Sequence, residues 1–284
     1  MKNRAPVDSH SRLSYDLIAC ERCPRLRNHC TAIAREKRRA FMDEEYWGKP
    51  IANFGDPFAR LLIVGLAPAA HGANRTGRMF TGDNSGRWLY RALHRAGFAN
   101  QADCESADDG LELIDCMITA VAHCAPPDNK PSNDEIANCA EYFERTFELH
   151  RPRAVVALGG IAWKAVFSEL RREGRWGGPL PKFGHLCEER LDDGMSIVGS
   201  YHPSQQNTFT KRLTEPMLDR VFTRARALIK ASAKPAMSRE PSASGRATAS
   251  LRGDAARAGV ATTPSERSTR AKPRRESTST ARKR

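Results

Sequence analysis

Four short apolar runs stand out along the chain, at residues 61–64, 117–121, 154–158 and 196–200. Each is too short for a helix and too uniformly apolar for a half-exposed strand. Each therefore reads as a strand of a parallel sheet buried on both faces. Other stretches repeat apolar residues at helical spacing. Trp88, Leu89, Ala92, Leu93 and Ala96 form one such face, and Ile136, Cys139, Ala140, Phe143 and Phe147 another. Ile161, Ala165 and Val166 suggest a third, and Met217, Val221, Ala225 and Leu228 a last one. Alternation of buried strand and amphipathic helix predicts an α/β fold with helices on both faces of the sheet. Ser132 and Glu135 are spaced as a capping box opening the second of these helices. The charge run at 35–39 reads as a solvated helical face, and 46–58, 98–112 and 171–186 read as loops.

The polar positions add a second pattern. The first run leads into residues 65–86, where Gly65, Pro68, Gly72, Gly77, Gly82 and Gly86 punctuate His71, Asn74, Arg75, Arg78, Asp83 and Asn84. The second ends at residues 123–131, which hold three prolines with His123, Asn129 and Lys130; the fourth ends at 201–208, with His202 and Asn207. In an open α/β sheet ligands bind beyond the carboxyl ends of the strands. These segments would gather there, so that edge is the expected active site.

Composition changes the picture at the C-terminus. The 284 residues carry a net charge of +13, and residues 231–284 hold thirteen Lys or Arg against four Asp or Glu, so +9 of it lies there. A segment rich in Ser, Thr, Ala, Pro and Arg buries too little apolar surface to offset its ordering entropy. Residues 1–230 are thus expected to form the folded domain and 231–284 a basic disordered tail that attracts polyanions. The N-terminus lacks the apolar core of a signal peptide, and no run approaches the length of a membrane span. A soluble, cytoplasmic, nucleoid-associated protein with no membrane partner is expected. In that compartment the eight cysteines suggest metal chemistry rather than disulfides. Cys20 and Cys23 form a C-x-x-C, and Cys124 and Cys139 flank 14 residues. Four such thiolates fit either zinc or a four-iron cluster. Cys139 on an apolar helix face fits a plain core residue equally well. Cys30, Cys104, Cys116 and Cys187 have no partner spacing, although Cys30 is able to displace another in the set.

Taken together, residues 65–72 (GLAPAAHG), 74–83 (NRTGRMFTGD), 124–131 (CAPPDNKP) and 202–208 (HPSQQNT) resemble the type b, or family 5, uracil-DNA glycosylases of the uracil-DNA glycosylase superfamily. The resemblance covers about residues 20–229. It implies a three-layer α/β/α sandwich with a central four-stranded parallel sheet. It implies a [4Fe–4S] cluster on Cys20, Cys23, Cys124 and Cys139, and DNA containing uracil as the substrate of a monofunctional, monomeric hydrolase. His202 then matches the histidine that stabilises the departing uracil anion, and Phe80 the aromatic platform for the extruded base. Related families hold the attacking water with a polar residue in the first motif, where Leu66 and Ala67 stand here, with Ala67 still placed at the substrate. Asn74 and Asp83 are the expected replacements, with His71 third. Asn129 is expected to read the base edge. Relatives carry an Asn where this chain has Ala120, which suggests a wider range of deaminated bases, hypoxanthine among them. Arg75, Arg78, Lys130 and Asn207 are the expected DNA contacts, and residues 205–213 the segment entering the duplex. A non-catalytic DNA-binding protein with a structural metal or redox-sensing cluster is the alternative. A nucleotide phosphohydrolase is a weaker one, since no phosphate loop is present.

Overall fold

The computed structural model describes residues 7–232. Within them one sheet has six strands: β1 (Phe54–Gly55), β2 (Leu61–Gly65), β3 (Cys116–Ala120), β4 (Ala154–Leu158), β5 (Glu188–Arg190) and β6 (Ser196–Ser200), in the order β1-β3-β2-β4-β6-β5. The inner four are parallel, with Ile63 opposite Ile118 and Val156, and Val156 opposite Val198. They are the four apolar runs, and every residue in them is buried. The two edge strands pair antiparallel and lack an apolar signature. β1 has only two residues, and β5 reads Glu-Glu-Arg, a charged edge that discourages further pairing.

Alternate residues of the inner strands face opposite layers. Leu61 and Ile63 join α4 (Asn84–Arg95) and α8 (Glu215–Ser232) through Leu89, Leu93, Val221 and Phe222. Leu62 and Val64 join α5 (Asn133–His150) and α6 (Gly160–Arg172) through Phe143, Phe147, Trp163 and Phe167. Two separate cores, one on each sheet face, make the three-layer sandwich. The capping box of α5 is present, with the Glu135 amide donating to Ser132 Oγ and the Ser132 amide to the Glu135 carboxylate. Ile161 corrects the third helical face: it is 48% exposed, and α6 turns Ala162, Trp163, Val166, Phe167 and Leu170 inward instead.

Two further helices precede the sheet, α1 (Val7–Ile18) and α2 (Pro24–Glu36). Leu13 and Leu17 of α1 pack on Tyr142 of α5. Helix α2 ends at Glu36, and Lys37 turns with φ 54°, so the basic run at 35–39 is only partly helical. No helix among the described residues is long and apolar enough to cross a membrane. The basic tail, past Ser232, lies outside the described residues.

Candidate active site

The carboxyl ends of β2, β4 and β6 converge on two rings. Phe80 and His202 lie with centroids 5.7 Å apart and planes tilted by 32°. Gly65, ending β2, lies under Phe80, where a Cβ would stand 3.0 Å from the ring. Gly159, after β4, holds φ 101° and faces His202, its notional Cβ 3.8 Å from the His202 Cβ. Phe80 itself has φ 53°, an uncommon region for a bulky side chain. The next helix enforces it, because a Cβ at Gly86 would fall 1.7 Å from the Phe80 carbonyl oxygen. A ring held half-buried at the strand ends by such backbone has a fixed position. His202 follows β6 directly, and Asn207 Nδ2 donates to its carbonyl at 2.8 Å. Asn207 sits in a short helix, α7 (Gln205–Phe209), capped by Ser204, whose hydroxyl accepts from the Asn207 amide. Burial lowers the His202 pKa to about 4. The imidazole is therefore neutral at pH 7 and carries one N–H donor.

A second site lies between α2 and α5. Cys20, Cys23, Cys124 and Cys139 line one cavity, with Leu17, Leu26, Arg27, His123 and Asn138 around them. All four thiols are free. Asn138 Nδ2 donates to Cys23 Sγ at 3.7 Å. Burial pushes the Cys139 thiol up to about 12 and raises that of Cys23, so thiolates there call for a compensating positive centre. Among the described residues no three His, Cys, Asp or Glu side chains are placed to hold a metal ion.

A sequence profile of the Uracil DNA glycosylase superfamily matches residues 52–226. The chain belongs to the uracil-DNA glycosylase superfamily. A type-5 uracil-DNA glycosylase of Mycobacterium tuberculosis is 50% identical over 214 residues, covering 75% of this chain and 79% of the relative. One from Thermus thermophilus is 43% identical over 215 residues, covering 75% and 94%. A type-4 uracil-DNA glycosylase of Sulfurisphaera tokodaii is 27% identical over 165 residues, covering 58% and 60%. These relatives lend no support to a non-catalytic DNA-binding protein.

Within this superfamily member, the loop after β2 carries most of the remaining candidates. Asp83 caps α4, its Oδ1 accepting from the Gly86 amide at 2.9 Å. Its Oδ2 lies on the loop backbone, where a Cβ at Gly72 would stand 2.3 Å away. Burial raises the Asp83 carboxyl pKa. Asn74, in the single turn α3 (Ala73–Thr76), is 0% exposed. Its Nδ2 donates to the carbonyls of Cys30 and Ala70, at 3.3 and 3.4 Å, so the amide presents nothing to solvent. His71 Nδ1 is 3.1 Å from the Tyr46 hydroxyl. Ala67 is half-buried at the mouth of the loop.

The expected phosphate contacts Arg75 and Arg78 are corrected. Both are buried, at 6% exposure. Arg75 pairs with Glu44, donates to the His71 and Gly82 carbonyls and stacks on Phe41. Arg78 pairs with Asp109 at 2.8 Å and donates to the Ala107 carbonyl and Thr81. Guanidinium groups buried on these partners tie the loop together instead of facing solvent. Lys130 and Asn129 are exposed beyond β3, Asn129 with φ 55°. Asn207 is committed to His202 as described. Two aromatic residues were not singled out in the sequence: Tyr46, read there as loop, and Phe209, inside the 205–213 segment, which ends α7 at 77% exposure. Each is a single aromatic residue outside any periodic pattern, and only its neighbours in space give it meaning.

Proposed function

We propose that the protein is a DNA repair glycosylase that hydrolyses the bond between uracil and deoxyribose in DNA and leaves an abasic site. The observation that carries this is the Phe80–His202 pair at the ends of three parallel strands. An extruded base stacks on Phe80, as glycosylases acting on a flipped nucleotide require. The C1′–N1 bond breaks with its electron pair left on uracil, and the sugar gains oxocarbenium character. The neutral His202 N–H donates to the base oxygen where the negative charge develops. A water adds to C1′. Asp83 suits that water better than Asn74, because Asn74 is fully buried with its Nδ2 held by the Cys30 and Ala70 carbonyls, whereas Asp83 is only half-buried. A carboxylate there also favours the cationic sugar. Asn129 and Lys130, both exposed, remain for the base edge and a phosphate. Phe209 is the wedge that fills the stack left by the flipped nucleotide, since its ring stands 77% exposed beside the His202 segment.

Cys20, Cys23, Cys124 and Cys139 hold a [4Fe–4S] cluster. Four free thiols lining one cavity supply the four ligands such a cluster takes. The group supplies a covalent tie between segments and takes no part in the hydrolysis. Ala120, 1% exposed, offers no amide to select uracil, so hypoxanthine is a second substrate.

Incubation with a uracil-containing duplex followed by alkali should cut the strand at uracil. A hypoxanthine duplex should be cut more slowly. No alkali-dependent cutting of either by iron-replete protein would sink the reading, and scission without alkali would contradict simple hydrolysis.

A further inference from the structure

Helix α2 touches both sites. Cys23 is its N-cap and Cys30 lies two turns on, so both side chains share the face turned to the cysteine cavity. Cys30 is fully buried against Cys124 and Ala125, its Sγ donating to the Ala125 carbonyl at 3.5 Å. The main chain of the same residue points the other way: the Cys30 carbonyl accepts from Asn74 Nδ2. A second connection runs in parallel. Arg27, which lines the cavity, donates to the Gly48 carbonyl at 3.1 Å, and the Gly48 amide donates to the Asn74 carbonyl at 3.0 Å. The neighbouring Trp47 amide donates to the Arg75 carbonyl, and its indole packs on Gly77. The cavity thus reaches the loop that presents Phe80 and Asp83 through two short chains, and both end on Asn74.

Asn74 is an expensive choice for a packing role. Its Oδ1 is buried without a hydrogen-bond partner among the described residues, and an unpaired buried polar atom destabilises. What the side chain contributes is its two donated hydrogen bonds, to the Cys30 and Ala70 carbonyls. We propose that Asn74 is a positioning residue that fixes the loop of Phe80 and Asp83 to the cysteine-bearing helix, so that cluster and catalytic loop hold each other in place. This rests on the cluster reading above. Coupling between two sites is reciprocal, so loosening the tie must weaken both ends.

The test uses full-length, iron-replete protein. Iron release to an excess of chelator and amide exchange over residues 69–82 are followed for wild type, Asn74→Ala and Asn74→Asp. Asp keeps the size but cannot donate to the Cys30 carbonyl. Both variants should release iron about tenfold faster and exchange the loop amides about tenfold faster, the scale of one lost buried hydrogen bond. Exchange in β6, distant from the tie, should not change. Should the Asn74 variants fail to fold, Arg27→Gln cuts the parallel chain and should accelerate both readouts in the same direction. Wild-type iron release and loop exchange in Asn74→Asp would overturn the inference alone. Purified wild type that never carries iron would overturn the cluster reading and this inference with it.

Discussion

At the scale of the residue, protonation decides what His202 does. A free histidine titrates near 6.5, whereas burial lowers His202 to about 4. In the proposed mechanism the donor to the uracil anion is thus a neutral imidazole across the physiological range. The single-turnover rate should show no inflection near pH 6.5, and any acid limb from His202 should fall below about pH 5. A limb centred near 6.5 would show His202 to be solvated instead. The same sign governs stability. His150 is 9% exposed, packs 4.8 Å from the His10 ring and has its pKa lowered to about 4 by burial. Between that value and 6.5 the unfolded chain binds more protons, so stability is complete above 6.5 and falls as pH drops towards 4. The urea midpoint should decrease from pH 7 to pH 5, and His150→Phe should reduce that decrease. A midpoint unchanged over this range would contradict the burial of neutral imidazoles.

At the scale of the element, α7 joins chemistry to recognition. Its N-terminal half pins His202 through Asn207, and its last residue presents Phe209 to solvent. Phe209→Ala should slow excision from a duplex by on the order of 10²-fold, since unstacking a step costs a few kcal/mol. It should barely affect excision from a single strand, where there is no stack to open. Equal losses on both would assign Phe209 to general binding. The elements themselves were largely legible. The inner strands are apolar because both faces are covered, and that needs no partner to be seen in the sequence. The edge strands were hidden because β1 has only two residues and β5 is charged. Helix α1 escaped because only Leu13 and Leu17 mark its buried face. Backbone punctuation marks the segments of Phe80 and His202 in the sequence, and the structure brings those two rings together. Arg75 and Arg78 were misread because their partners Glu44 and Asp109 each lie 31 residues away, beyond any local pattern. A sequence shows the charge and not what neutralises it.

At the scale of the whole molecule, the four cavity cysteines join the N-terminal helices to segments more than 100 residues further on, at Cys124 and Cys139. Cys139→Ser should lose iron. Cys187→Ser should keep it, because the Cys187 thiol accepts from the Gly184 amide beside β6 and does not line the cavity. Retention of full iron by Cys139→Ser would remove it from the ligand set. The tail from Ala231 carries +9 of the +13 charge. Its deletion should weaken binding to any duplex and flatten the dependence on salt, as fewer counterions are released. The saturated single-turnover rate should not change, because every proposed site residue lies before the tail. The most direct test of the central claim is the release of free uracil from a uracil-containing duplex, measured under single-turnover conditions for full-length protein and its His202→Ala variant. Wild type should release one uracil per site with the strand intact, and the variant should be slower by on the order of 10²–10³-fold while folded. Absence of free uracil with folded, iron-replete wild type, or equal rates for the two proteins, would contradict it.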